Sequence, residues 1–416
     1  MTAWLGEQAS PTKQKATIMA HPVHLNALAA RRIQATPFAL WRLGFRPFYL
    51  VASIFAALAV PLWVAEYTGS LEGSWIAGPM GHAHEMLFGF ALAVMSGFLL
   101  TAVRNWSGRP TATGPALALL VAVWLAARVL ALTPLRVAPA VVDVAFPLAI
   151  AVAIAIPLVQ SGNRRNYFFP GLFVVLAALD LVFQLARLGV AGVDERYAIQ
   201  GALDVVLIVM TVMGGRVIPM FTTNGVPGST PQRRAVIERA SPLCVAALLV
   251  VDLVPVPLPL RVAVLVLGAL TLGTRALLWR PWQTLRAPLV WVLHAGYLWI
   301  PVYMALRAAA EVGWIPLPIA THALTAGAIG MLTIGMMTRT ARGHSGRPLV
   351  ADCFETGAYL LIAAAAVTRV FVPLLVPAVY VEAIVVSGCL WSAGFAVYAV
   401  RYWPVLTRPR LDGKPG

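Results

Sequence analysis

Apolar stretches follow one another along this chain from about residue 46 to residue 400, broken only by short clusters of Arg, Gly and Pro. A helix needs roughly 20 mostly apolar residues to cross the hydrocarbon core of a bilayer. On that measure the pattern predicts twelve spans, at 46–66, 83–103, 115–134, 138–160, 167–189, 198–220, 241–256, 260–279, 287–309, 317–338, 356–374 and 378–400. The expected fold class is therefore all-α: a polytopic membrane protein with one twelve-helix domain over residues 45–404. An amino-terminal arm (1–44) and a carboxy-terminal tail (405–416) flank it.

Composition sharpens this reading. Hydrophobic residues make up 60% of the chain and charged ones 11%, with a mean hydropathy of +0.81, so lipid is the solvent these side chains require. The first 44 residues are mixed in polarity, carry Lys13, Lys15, Arg31, Arg32 and Arg42, and lack an apolar core followed by a small-residue cleavage site. They read as an uncleaved cytoplasmic arm.

The net charge of +15 does not indicate nucleic acid, because the basic residues form no stripe with interleaved aromatics. They sit at helix ends, and alternately so. Arg104 and Arg109 follow the second span, Arg164 and Arg165 the fourth, and Arg216, Arg233, Arg234 and Arg239 the sixth. Arg275, Arg280 and Arg286 follow the eighth, Arg339, Arg342 and Arg347 the tenth, and Arg401, Arg408 and Arg410 the twelfth. Cytoplasmic loops carry the excess of Lys and Arg, so the alternation supports an even helix count with both termini in the cytoplasm and the protein in the inner membrane. Cys244, Cys353 and Cys389 show no paired spacing, which argues against a disulfide framework or a zinc knuckle.

An internal repeat is also legible. Residues 84–110 (HEMLFGFALAVMSGFLLTAVRNWSGRP) align without a gap on 322–348 (HALTAGAIGMLTIGMMTRTARGHSGRP), with eight identities in 27 positions. His84 falls on His322, Gly89 on Gly327, Gly97 on Gly335 and SGRP on SGRP. A fainter third copy, GRVIPMFTTNGVPG at 215–228, ends the sixth span, and there Leu203 takes the histidine position. Three units of four helices account for this spacing.

Of seven histidines, five lie in or beside predicted helices: His82, His84, His294, His322 and His344. An ionisable side chain in hydrocarbon is costly unless it has a partner or a function. A lone intramembrane histidine is most often a hydrogen bonder between helices, but five of seven, two of them at equivalent repeat positions, favour metal ligation. At 1.5 Å rise per residue, His322 lies roughly 8 Å below the outer boundary and His84 at a similar level, so the expectation is that these two grip one iron from opposite sides. His82 points about 200° away from His84 on a regular helix and serves either a second metal or, if the helix begins after it, the same one. Glu85 is either an acceptor that orients a ligand ring or shuttles protons, or a helix N-terminal acid complementing the dipole. His294 lies too deep to join the outer pair, and His344 reads as a loop residue or a lower ligand beside it. His21 and His24 read as solvated. The acids Asp180, Asp204 and Asp252, with Arg128 and Arg187, interrupt apolar runs, and structural pairing is the simplest expectation for them.

The motifs together resemble one family, the NnrS proteins, bacterial membrane proteins associated with haem, copper and nitric oxide stress. The resemblance runs from about Trp41 to Arg369 and rests on WRLGFRPFYL (41–50), GHAHEMLFGFALAVMSGFLLTAV (81–103), NWSGRP (105–110) and GGRVIPMFTTN (214–224). PLVWVLHAGYLWIP (288–301), THALTAGAIGMLTIGMMTR (321–339) and GHSGRPL (343–349) complete it. It implies haem b, with copper as a second metal, and site residues at His82, His84, His294, His322, His344, Arg216 and Arg339. A more distant likeness is to the catalytic subunit of haem-copper oxidases and nitric oxide reductases, which places a haem between its second and tenth helices. The sixth and seventh spans here hold no histidine, so the usual three-histidine copper site is not expected.

The expected function is thus that of a haem-binding membrane protein, a candidate oxidoreductase, that binds, reduces or protects against nitric oxide or a related small ligand, supplied by an electron donor and embedded in the lipid bilayer. Two rivals remain on sequence grounds: a secondary transporter, which also combines twelve helices with repeats, and a haem-bearing sensor or assembly partner without turnover.

Overall fold

A computed structural model describes residues 38–71, 78–190, 192 and 194–414. His21, His24 and most of the expected amino-terminal arm lie outside the described residues. Among those described there is no strand, and twelve long helices follow in order. They are α1 (Phe45–Tyr67), α2 (Gly78–Ser107), α3 (Gly114–Leu130), α4 (Val137–Gln160), α5 (Phe168–Arg187) and α6 (Glu195–Gly225). Then come α7 (Ala235–Leu253), α8 (Leu258–Leu278), α9 (Pro288–Glu311), α10 (Leu317–His344), α11 (Cys353–Leu375) and α12 (Tyr380–Thr407).

Ten of these are long and apolar enough to cross a membrane. The other two depart for identifiable reasons. α3 has only 17 residues, and α7 carries Glu238, Arg239 and Asp252 within one short helix. Two of those charges are matched inside the bundle, Glu238 by Arg275 at 2.6 Å and Asp252 by Arg307 at 2.9 Å. The twelve-span expectation therefore holds, and the protein is a polytopic membrane protein.

Local chemistry sets the ends. Proline stands in the first turn of α3, α8, α9 and α10, where its missing N–H costs nothing and its fixed φ favours the helix. Asp352 caps α11, accepting from the backbone N–H groups of Phe354 and Glu355 while Glu355 accepts from the Asp352 N–H. Two boundaries differ from expectation in ways that matter. α2 begins at Gly78, so His82 and His84 are both inside the helix, and α10 continues to His344, which is its last residue and not a loop residue.

Helices adjacent in the chain pack on one another, except that α3 packs chiefly on α4 and meets α2 through side chains, Trp124 donating to the Gly89 carbonyl, and α12 returns to α1. α2, α6 and α10 are the most enclosed spans, at 83%, 61% and 61% buried. These are the helices that carry the three copies of the sequence repeat. The equivalence of α2 and α10 extends to the backbone. Each widens into a π turn immediately after its aligned histidine, Glu85–Ala91 after His84 and Ala323–Ile329 after His322. Such turns occur mostly as single insertions and often at functional sites. α6, whose copy lacks the histidine, is α-helical throughout.

Close approach between the inner and outer helices relies on missing side chains. Gly296 of α9 faces the α10 backbone, and a Cβ there would come within 2.9 Å of the Leu332 nitrogen. Gly171 of α5 faces open space, with nothing within 4 Å of an added Cβ. Gly296→Val is expected to destabilise the protein by about 1–3 kcal/mol through overpacking, and Gly171→Ala to leave stability unchanged or slightly raised. Thermal unfolding midpoints of the two variants in detergent test this.

Candidate functional site

Polar residues gather at the end of the bundle opposite the arginine-rich turns, in three clusters. The first lies among α2, α3, α4 and α5. The His84 ring is 3% exposed and stacked between Phe88 and Phe183, with centroids 4.9 and 4.3 Å away. Its Nε2 donates to Asp180 Oδ1 at 2.9 Å and lies 3.5 Å from Asp143 Oδ2, while Nδ1 is 3.3 Å from Glu85 Oε1. Arg128 closes the other side, donating to Asp143 Oδ1 and reaching Glu85 Oε2 at 3.3 Å. Gln184 donates to Asp180 Oδ1 at 3.2 Å. Asp180 and Arg128 are thus each paired as expected, though not with one another: Asp180 with His84, and Arg128 with Asp143 and Glu85. Asp143, which the sequence reading passed over, completes the set, its only advance signal being an acid inside an apolar run. Glu85 does orient the imidazole. Its alternative role at a helix N-terminus is excluded, because α2 begins seven residues earlier, at Gly78.

The second cluster joins α6, α7 and α9. Arg307 donates to Asp252 at 2.9 Å, to the Tyr303 hydroxyl at 3.1 Å and to Glu311 at 3.0 Å. Gln200 donates to Asp204 at 3.1 Å. Asp204 follows Leu203 as Glu85 follows His84, so an acid recurs at this repeat position although the histidine does not. Arg187 makes no ion pair among the described residues and lies over the Phe183 ring at 5.9 Å.

The third cluster brings His82 of α2 toward α1, α10 and α11. Its ring stacks on Trp63, with centroids 4.2 Å apart. His322 Nδ1 donates to the Pro318 carbonyl at 2.7 Å. Arg369 of α11 is an electrostatic neighbour of both imidazoles, and His82 is one of His322. The guanidinium lies over Tyr380, 5.5 Å from the ring centre, and its Nη1 is buried without a hydrogen-bond partner. The polar partners of His84 and of His322 have no member in common. His82 and Arg369 are the charged or titratable neighbours of His322, whereas those of His84 are Glu85, Asp143 and Asp180.

The remaining expected ligands lie elsewhere. His294 Nε2 bonds the Thr222 hydroxyl at 2.8 Å, and that hydroxyl donates to the Ile218 carbonyl, so the ring is the donor in this contact. His344 packs on Phe45, with ring centres 5.8 Å apart, and Arg410 donates to its carbonyl. These two share no partner. Arg216 donates to Asn166 at 2.9 Å and lies over Phe168 and Phe169, securing the turn before α5. Arg339 sits 3.8 Å above the Phe221 ring. Seventeen residues of α10 separate His322 from Arg339, or roughly 25 Å, so one cofactor at His322 does not touch this arginine.

Between the clusters and the arginine-rich end, α2, α6 and α10, with Tyr49 of α1 and Leu293 of α9, line a partly open cavity of about 100 Å³ with almost wholly apolar walls, among them Met95, Phe98, Val209, Met213, Leu332 and Met336. An apolar cavity of about 150 Å³ admits benzene or xenon. This one has room for a diatomic gas.

The family model described as NnrS protein matches residues 39–410. No curated protein matches the chain.

Removing one member of a buried ion pair strands the other in a medium that cannot solvate it, at about 3–5 kcal/mol. Arg128→Met is expected to destabilise the protein by about that amount, and adding Asp143→Leu to recover much of the loss. A double-mutant cycle on thermal midpoints in detergent measures both.

Proposed function

This chain belongs to the NnrS family, and on that premise we propose that it is an inner-membrane protein that handles nitric oxide at a haem held by His82 and His322, with both termini in the cytoplasm. The observation that carries the reading is the third cluster. His322 gives its Nδ1 proton to the Pro318 carbonyl, and this tautomer leaves the Nε2 lone pair available, the arrangement that metal-ligating histidines adopt. His82 makes no hydrogen bond among the described residues, and Trp63 holds its ring by stacking. Arg369 supplies a buried guanidinium nitrogen with no partner, which suits a haem propionate. Two imidazoles and an orphan cation fit haem, and the imidazoles suit copper equally well.

Haem iron, when bound, supplies the capacity to ligate nitric oxide and to exchange electrons with a donor. The chain's own residues set the rest. The Pro318 carbonyl fixes the orientation of one ligand ring and Trp63 that of the other. The apolar cavity bounded by α2, α6 and α10 favours a small uncharged gas over water, because it offers almost no polar partner to a water molecule.

Purified protein is expected to show a haem Soret band that His82→Ala and His322→Ala each abolish and that His294→Ala retains. Metal analysis alongside assigns the same two rings to copper if copper takes the place of iron. Wild-type protein free of both metals, or a Soret band that survives both substitutions, contradicts the proposal.

A further inference from the structure

We infer that His84, Asp143 and Asp180 form a second metal site, separate from His82 and His322, that takes a divalent transition-metal ion such as Zn²⁺, Mn²⁺ or Fe²⁺. His84 Nε2 faces Asp180 Oδ1 at 2.9 Å and Asp143 Oδ2 at 3.5 Å, and the three ligand atoms all lie within 4.8 Å of one another. Metal bonds of about 2.0–2.2 Å place neighbouring ligand atoms about 3–3.6 Å apart, so the three atoms stand near ligand spacing; an ion displaces the proton that Nε2 now donates to Asp180 and also the Gln184 amide, whose Nε2 lies 3.3 Å from His84 Nε2, 3.4 Å from Asp143 Oδ2 and 3.2 Å from Asp180 Oδ1.

Two further observations point to an ion. Asp180 is fully buried, yet its Oδ2 has no hydrogen-bond partner, which is a costly state for a carboxylate in a membrane bundle. Two of the ligands carry the supporting contact that metal sites require: Glu85 on His84 Nδ1 and Arg128 on Asp143 Oδ1.

One nitrogen and two carboxylate oxygens, with no thiolate, select a borderline or hard divalent ion over copper(I). The fold builds the set locally. Adjacent residues on a regular helix diverge by about 100°, and the π turn that starts at Glu85 is where that carboxylate reaches the ring of the preceding residue. The corresponding turn in α10 follows His322 with Ala323, which has no ligand to offer. The two histidine sites have therefore diverged, one toward a cofactor and one toward an ion.

Full-length protein in detergent, stripped with a chelator, is titrated with Zn²⁺ and, for its visible spectrum, with Co²⁺. One ion per chain is expected in wild type and in His322→Ala, and at least a tenfold weaker affinity in Asp180→Asn. His84→Gln, which keeps the size of the side chain, carries the same expectation should Asp180→Asn fail to fold. The inference is overturned if wild type takes up neither ion, if whichever of these two variants folds binds as tightly as wild type, or if His322→Ala loses the ion.

Discussion

A charged group inside a lipid-embedded bundle must find its counterpart within the protein, and that constraint organises this molecule. Each polar cluster ties an inner helix to the helices around it: α2 to α3, α4 and α5 through His84, Arg128, Asp143 and Asp180, and α6 to α7 and α9 through Asp204, Asp252 and Arg307. The third joins α2 and α10 to α11 through His82, His322 and Arg369. Apolar packing alone gives little orientation between helices in lipid, because the tails are as apolar as the side chains. Polar contacts at one end fix which helices are neighbours. The other end holds the arginine-rich turns, where Arg342 and Tyr402 meet on Glu355 and Arg46 reaches the carbonyls of Leu406 in the last turn of α12 and of Arg408 just beyond it.

Much of this was legible in the sequence. Twelve apolar runs became twelve helices, since length and composition suffice to specify a span. The repeat of 84–110 on 322–348 reappeared as matched π turns, a feature that no hydropathy pattern encodes but that aligned histidines and glycines anticipate. α7 shows the limit of the apolar criterion. Its three charges make it too polar for a free-standing span, yet partners on α8 and α9 keep it in the bundle.

The grouping of the histidines was less legible, for a physical reason. Depth along a helix follows from counting residues, but the direction in which a side chain points depends on where the helix starts and how it is wound. His82 and His84 share a level and face opposite ways, and the structure gives His84 to α4 and α5 and leaves His82 beside His322. Arg216 and Arg339 looked like cofactor contacts because they stand in distinctive motifs. They lie far along their helices from the histidine level and stack on aromatic rings. Asp143 went unread because one acid near a helix start carries no signal until its neighbours are known.

The central claim is that imidazoles from α2 and α10 meet at one metal centre while His84 belongs to another. X-ray diffraction from crystals of the purified protein, collected on either side of the iron and copper absorption edges, locates each metal directly. Anomalous density for iron or copper between His82 and His322 is the expected result. Its absence there, or a haem ligated by His84, contradicts the claim.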